Sequence, residues 1–248
     1  MKMRKIFEIL CMILFMIGFL ILCIPVIHEC YVSYKMEHTI QSYLQWATPS
    51  DNPTTPTIPE EITPAETASL PAEYADLWND MQSYNQKIYA EKQSGLFDTW
   101  TYEKPSFNLP DYGFPDETFG ILTIPKMKLR MPLYLGATWQ HMADGAAQLS
   151  QTSVPIGGEN TNCVIAGHRG WRGAAYFREI LKMELGDKIY IQNPWQTLEY
   201  QVTEIKIIDP DDVDAIHIQD GRDLVTLLTC HPYASGGKQR YLVICERR

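Results

Sequence analysis

The spacing of hydrophobic and polar positions changes several times along the chain, and each change predicts a different kind of element. Residues 9–27 are almost unbroken apolar sequence, about 19 residues, close to what a helix needs to cross a bilayer. A cleaved leader would have a shorter apolar stretch and small residues at an A-x-A-like site. Val26-Ile27-His28-Glu29-Cys30 offers neither, so the run is expected to stay as an anchor. Lys2, Arg4 and Lys5 precede it and should stay cytoplasmic, which sends everything after Ile27 to the outer side. The expectation is a single-pass protein of the cell membrane with an extracytoplasmic functional domain.

Residues 31–46 can continue as helix, whereas 47–71 are crowded with Pro, Thr and Glu and predict a linker or exposed loop. Tyr74, Leu77, Trp78, Met81, Tyr84 and Ile88 then recur at three- and four-residue spacing, which predicts an amphipathic helix ending near Gly95. Beyond Phe119 the pattern becomes short apolar or alternating runs, at 119–124, 129–135, 146–151, 162–167, 188–192, 198–208, 223–229 and 239–246. Only 176–183 interrupts them as helix. Gly157-Gly158, Gly186-Asp187 and Gly236-Gly237 supply turns between strands. The expected fold is mainly β: a closed or nearly closed eight-stranded barrel with short helices, preceded by N-terminal helical segments and the anchor. The organisation that follows is a cytoplasmic tip and anchor at 1–30, helices and linker at 31–118, and the barrel at 119–248.

Composition narrows the function. Apolar residues make up 45% of the chain, enough for a core, and the net charge of -9 argues against a nucleic-acid partner, whose phosphates favour a basic surface. The six cysteines form no CxxC pairs and no zinc-type Cys/His spacing, so no metal is expected. Cys11 and Cys23 lie in the apolar run. Cys30, Cys163, Cys230 and Cys245 are too scattered for a disulfide scaffold.

A thiol suits acyl transfer because some thiolate exists at neutral pH and sulfur is intrinsically nucleophilic. Cys230 ends an apolar strand and is followed by His231-Pro232-Tyr233, where a loop should open. A free cysteine is also a common buried core residue, so a neighbouring base and cation must decide between the two. His168 ends another strand between Gly167 and Gly170, and Arg240 begins the last strand, where a guanidinium could meet a developing oxyanion. Strand parity puts Thr226, Leu228 and Cys230 on one face, Ala166 and His168 on one, and Arg240, Leu242 and Ile244 on one. If those strands are neighbours, the three groups converge. His231 is a rival base, but an adjacent strand residue points to the opposite face. His217 sits among Asp211, Asp212 and Asp214 as a solvated loop residue, and His28, His38 and His141 have no cysteine or cation nearby in sequence.

Thr226-Leu227-Leu228-Thr229-Cys230 resembles the TLxTC signature of sortases, Gly167-His168-Arg169-Gly170 resembles their histidine segment, and Arg240 follows the cysteine at about the distance of their arginine. The resemblance covers residues 119–248. It implies a transpeptidase in which Cys230 attacks the Thr-Gly amide of an LPxTG-like sorting signal, His168 serves as acid and base, Arg240 stabilises the oxyanion, and an amine resolves the thioester. No cofactor is implied. Residues 102–120, 121–127 and 229–233 look like class C sortases, which polymerise pilins through a pilin lysine. In that class a lid places an Asp on the arginine and an aromatic ring near the thiol. Asp98-Thr99-Trp100 is similar to that lid, with Thr99 where the family usually has Pro. No apolar segment follows Glu246, whereas many class C enzymes carry a second anchor there. A sortase that uses a cell-wall amine as acceptor, and a non-catalytic envelope binding or assembly module, are the competing readings.

Overall fold

The computed structural model describes residues 2–47, 74–97, 104–170 and 175–248. Asp98 and Trp100, and all but the first residue of the Pro- and Thr-rich segment, lie outside them. Helix α1 (Lys2–Ala47) is continuous through the apolar run and beyond. Its second half turns one stripe to the rest of the protein: Val32, Met36 and Trp46 pack against the main core, and Ile40 and Tyr43 are buried with Ile121.

Eight strands, among the described residues, close into a barrel: β1 (Thr118–Ile124), β2 (Leu129–Leu135), β3 (Ala146–Gln148), β4 (Thr161–Ala166), β5 (Lys188–Gln192), β6 (Thr197–Ile208), β7 (Asp223–His231) and β8 (Gln239–Arg247). Their order around the wall is β1-β2-β3-β4-β7-β8-β6-β5. Two contacts are parallel, β2 with β3 and β4 with β7, and the others are antiparallel. β4, β7 and β8 are covered on both faces, which is why they read as continuous apolar runs rather than as alternation. Ile165, Val225, Leu227, Tyr241 and Val243 face the barrel interior, while Val164, Ala166, Leu224, Leu228, Leu242 and Ile244 form an outer apolar floor. Ile216, from the β6–β7 connection, is fully buried on that floor.

The two ends of the barrel differ. One end gathers the C-termini of β4, β6 and β7 and the start of β8. The other is plugged by helix α2 (Ala75–Ala90): Leu77 and Met81 are fully buried, Trp78 meets Trp195 of the β5–β6 turn edge-on at 5.0 Å, and the Asn85 side chain exchanges hydrogen bonds with both backbone groups of Val154. α2 stops at Ala90, short of Gly95, because Lys92 and Gln93 both take a left-handed conformation that breaks the helical ladder. Gln93 is nonetheless buried. Its amide donates to the Gln151 carbonyl at 3.1 Å and accepts the Ile218 amide at 2.6 Å, tying α2 to the β6–β7 connection.

The expected helix at 176–183 is corrected. That segment is a string of turns with one short 3-10 piece, Ile180–Lys182. Phe177, Ile180 and Met183 are buried at three-residue spacing, and the backbone bonds run i to i+3, the geometry of a tighter turn than the α-helix. Conversely a short helix α3 (Trp139–Asp144) stands where none was expected, capped by the Thr138 hydroxyl accepting from the His141 amide at 3.1 Å. β3 ends at Gln148 instead of 151, since Gln151 has φ +64° and turns the chain.

Candidate active site

Cys230 stands directly opposite Arg240 across the β7–β8 pair, and Ala166 of β4 stands opposite Leu228 on the other flank of β7. Because paired residues share a face, the parity that puts Ala166, Leu228 and Leu242 on the outer floor also puts His168, Cys230 and Arg240 at its end. The neighbourhood that the sequence argument required therefore exists. Cys163 and Cys245 are fully buried in the interior, where burial pushes both thiols well up; Cys230 is the half-exposed cysteine of the barrel.

Each of the three groups is held by local backbone. The Thr229 hydroxyl donates to the Gly167 carbonyl at 2.6 Å, and the Gly167 amide donates to the Leu228 carbonyl at 3.1 Å, locking the end of β4 to the strand that carries the thiol. The Phe177 amide donates to the His168 carbonyl at 2.8 Å, and the Tyr176 ring meets the His168 ring edge-on at 5.9 Å. The Tyr176 hydroxyl in turn donates to the Ala143 carbonyl at 2.6 Å. Arg240 is nearly buried, and its Nη1 donates to the Gly237 carbonyl at 2.6 Å and the Gln239 carbonyl at 3.3 Å. Gly237 has φ +79°, and a Cβ there would come within 3.0 Å of Arg240 Nη1 and 3.3 Å of Cys230 Sγ. Only glycine lets this loop close over both groups.

Burial raises the Cys230 thiol above its ordinary range, partly opposed by the positive charges of Arg240 and Arg169. Burial also lowers His168. Both shifts favour the neutral thiol and neutral imidazole at rest.

His231, the rival base, is on the opposite face. Its Nδ1 accepts from Arg169 Nη1 at 2.7 Å, since a guanidinium can only donate, and its ring stacks on Tyr241 at 5.6 Å. Burial and the adjacent Arg169 hold it below the usual histidine range. Arg169, Thr229 and Gly237 were read from the sequence only as parts of motifs or a turn, and Tyr176 only as the start of a helix; none was given a place at the site. His141 is buried, with Nδ1 2.7 Å from the Gly136 carbonyl and Nε2 2.9 Å from Glu117, and belongs to α3 packing. His217 lies on the β6–β7 connection, 3.4 Å from Asp214.

A closed barrel with one half-exposed thiol at the end of an outer apolar floor, flanked by a histidine and an arginine, defines a class of thiol-bearing β-barrel proteins. Comparison narrows the class: residues 122–248 match the sortase domain family, and the chain belongs to the sortase family. It is similar in structure to sortase C of Streptococcus pneumoniae, for which pilin substrate specificity is described, with a TM-score of 0.68, 30% identity and coverage of 85% of this chain and 96% of that one. It is likewise similar to sortase C1 of GBS pilus island 1, with a TM-score of 0.64, 31% identity and coverage of 71% and 89%. Sortase D of Bacillus subtilis (strain 168) is 29% identical over 146 residues, 58% of this chain and 69% of that protein. As a sortase, the chain is a cysteine transpeptidase.

Proposed function

We propose that this sortase cleaves an LPxTG-like sorting signal and passes the acyl group to a pilin lysine, with Cys230 as nucleophile, His168 as acid and base, and Arg240 as oxyanion donor. The observation that carries the reading is the shared register of β4, β7 and β8, which brings those three strand ends together on one face. In the first transfer the Cys230 thiol gives its proton to His168 and the sulfur bonds to the Thr carbonyl carbon. The Thr–Gly C–N bond breaks, and the departing amine takes its proton from His168. In the second, an incoming amine gives its proton to His168, attacks the thioester carbonyl and frees the Cys230 sulfur. A guanidinium held by two carbonyls at the lip of the loop is fixed before the reaction begins, which is what makes such a donor effective toward a developing negative oxygen.

In this reading α1 anchors the chain in the cell membrane and residues 119–248 act as an extracytoplasmic catalytic domain. The similarity to pilus-related sortase C structures supports the pilin lysine. A cell-wall amine is the second reading, supported by relatives named sortase A, such as that of Bacillus anthracis at 30% identity over 51% of this chain and 58% of that protein. Incubating the chain with candidate pilins and with wall peptides, then locating the new amide bond by mass spectrometry, decides between them. An adduct on a wall amine alone would overturn the pilin assignment.

A lid over Cys230 is part of the proposal. In it Asp98 pairs with Arg240 and Trp100 rests on Cys230, so the cleft is open only part of the time. Replacing both Asp98 and Trp100 by Ala should speed alkylation of Cys230 by a small thiol reagent. An unchanged rate in a folded variant would remove the lid.

A further inference from the structure

Helix α1 is continuous, so its residue numbers serve as a ruler of about 1.5 Å per residue. Its contacts with the barrel begin where the apolar run stops. Glu29, two positions past Ile27, lies 4.0 Å from Arg178 Nη1; Lys35 pairs with Asp144 at 2.5 Å; Ile40 and Tyr43 pack on Ile121; and the Trp46 ring meets Phe114 at 4.5 Å. The barrel partners are met in order from one end to the other. Arg178 lies in the β4–β5 connection at the end that bears the active site, whereas Phe114 precedes β1 at the end that α2 plugs.

The active site can be levelled against the same ruler. Tyr176, whose ring meets His168, bonds the carbonyl of Ala143, the neighbour of Asp144, which pairs with Lys35. His168 is thereby level with residues 29–35 of α1, on the order of 3 to 12 Å beyond the last apolar residue. The headgroup layer of a bilayer adds about 5 to 7 Å on each side, so the nearer part of that range lies within it and the rest borders it.

The surface at this end fits such a setting. Outside α1, the exposed large apolar residues among those described are Phe97, Trp139, Leu181, Leu185, Ile207 and Tyr233, and the last four all belong to the active-site end. Leu181 is 50% exposed, Leu185 68% and Tyr233 56%. Arg178 and Lys182 stand among them, each beside an acidic partner, Glu29 and Glu179, and Glu184 and Asp187 are paired with Lys126. Leucine and tyrosine beside basic side chains are the composition of an interfacial membrane contact.

We propose that the barrel end bearing Cys230 faces the bilayer that α1 enters, and that Arg178, Leu181, Lys182, Leu185 and Tyr233 rest in its headgroup layer. The inference rests on the reading of α1 as a membrane span. It gives the active site a defined height, so that peptide reaches Cys230 at the lipid surface rather than from bulk solvent.

The test uses the full chain in vesicles of phosphatidylglycerol and phosphatidylethanolamine. p-Benzoylphenylalanine replaces Leu181, Tyr233 or, at the plugged end, the exposed Asp111. Illumination should give lipid adducts at Leu181 and Tyr233, and none above background at Asp111. Extraction with alkaline carbonate separates the two levels of failure. A chain that stays in the membrane but gives no adducts, equal adducts at all three positions, or adducts at Asp111 alone overturns the orientation only. A chain released by carbonate overturns the span and the orientation with it.

Discussion

Three neighbouring strand ends carry two sets of side chains one residue out of step. On the outer face are His168, Cys230 and Arg240; on the inner face are Arg169, His231 and Tyr241. Both sets contain a histidine and an arginine, yet they are put to opposite uses. The inner set is closed on itself, with the Arg169 guanidinium bonded to His231 and His231 stacked on Tyr241. The outer set is tied to backbone instead: the His168 and Gly167 carbonyls accept from Phe177 and Thr229, and the Arg240 guanidinium donates to the Gly237 and Gln239 carbonyls. In the proposed mechanism the inner pair stiffens the strand ends and the outer set does the chemistry.

The largest test of this contrast is Cys230→Ala, which should abolish the covalent adduct with an LPxTG-type peptide, read by intact mass. Retained cleavage would remove the outer set from the chemistry. His168→Ala should keep the fold, by circular dichroism, and lower kcat/KM by about 100- to 10,000-fold, the usual worth of a positioned acid and base.

Arg240→Lys keeps the charge but loses the planar donors, with an expected loss in kcat of about 100- to 1,000-fold. Titration sharpens the assignment. The competent pair carries one proton, so activity should fall on the acid side only below the ordinary histidine value of 6.5, because His168 is lowered, and on the alkaline side only above 9.0, because Cys230 is raised. Removing the Arg240 charge by Arg240→Met takes away an influence that lowers the thiol, so alkylation of Cys230 should then need higher pH than in the parent. An unmoved alkylation profile would place the guanidinium too far away to matter.

The smallest effect is expected from the inner face. His231→Ala should reduce turnover by less than about tenfold and leave the acid limb in place, since the proposed mechanism assigns that limb to His168. A variant as crippled as His168→Ala would mean that the two faces are not separate.

Parity made most of this legible in the sequence. The runs ending at Cys230 and beginning at Arg240 fix which residues share a face, and the glycines around His168 mark a strand end. The adjacency of β4 and β7 was not written locally: it is a parallel pairing of residues about sixty positions apart, visible only once the wall closes. For the same reason the parts played by Arg169, Thr229 and Tyr176 were not legible, although the first two lie inside the quoted motifs, because each acts on a strand or loop distant in sequence. The segment around Phe177, Ile180 and Met183 misled by a different route. Apolar positions three apart suit an α-helical stripe and a chain of 3-10 turns equally well over so short a stretch. Thr138 three residues ahead of His141 was a readable cap for α3, but six residues are too few for a periodic stripe.

The plug formed by α2 sets where a self-sufficient folding unit begins. Leu77 and Met81 are as deeply buried as the barrel's own interior, and Asn85 supplies both partners to the Val154 backbone, much as a neighbouring strand would. A fragment cut at Phe119 would hold every strand and every candidate catalytic group, yet it would open an apolar surface around Trp195 and Val154 to water. Losing a buried leucine alone typically costs about 2 to 5 kcal/mol. Such a fragment is expected to aggregate more readily than one starting at Tyr74, which keeps its stopper and exposes only the surface that α1 covers.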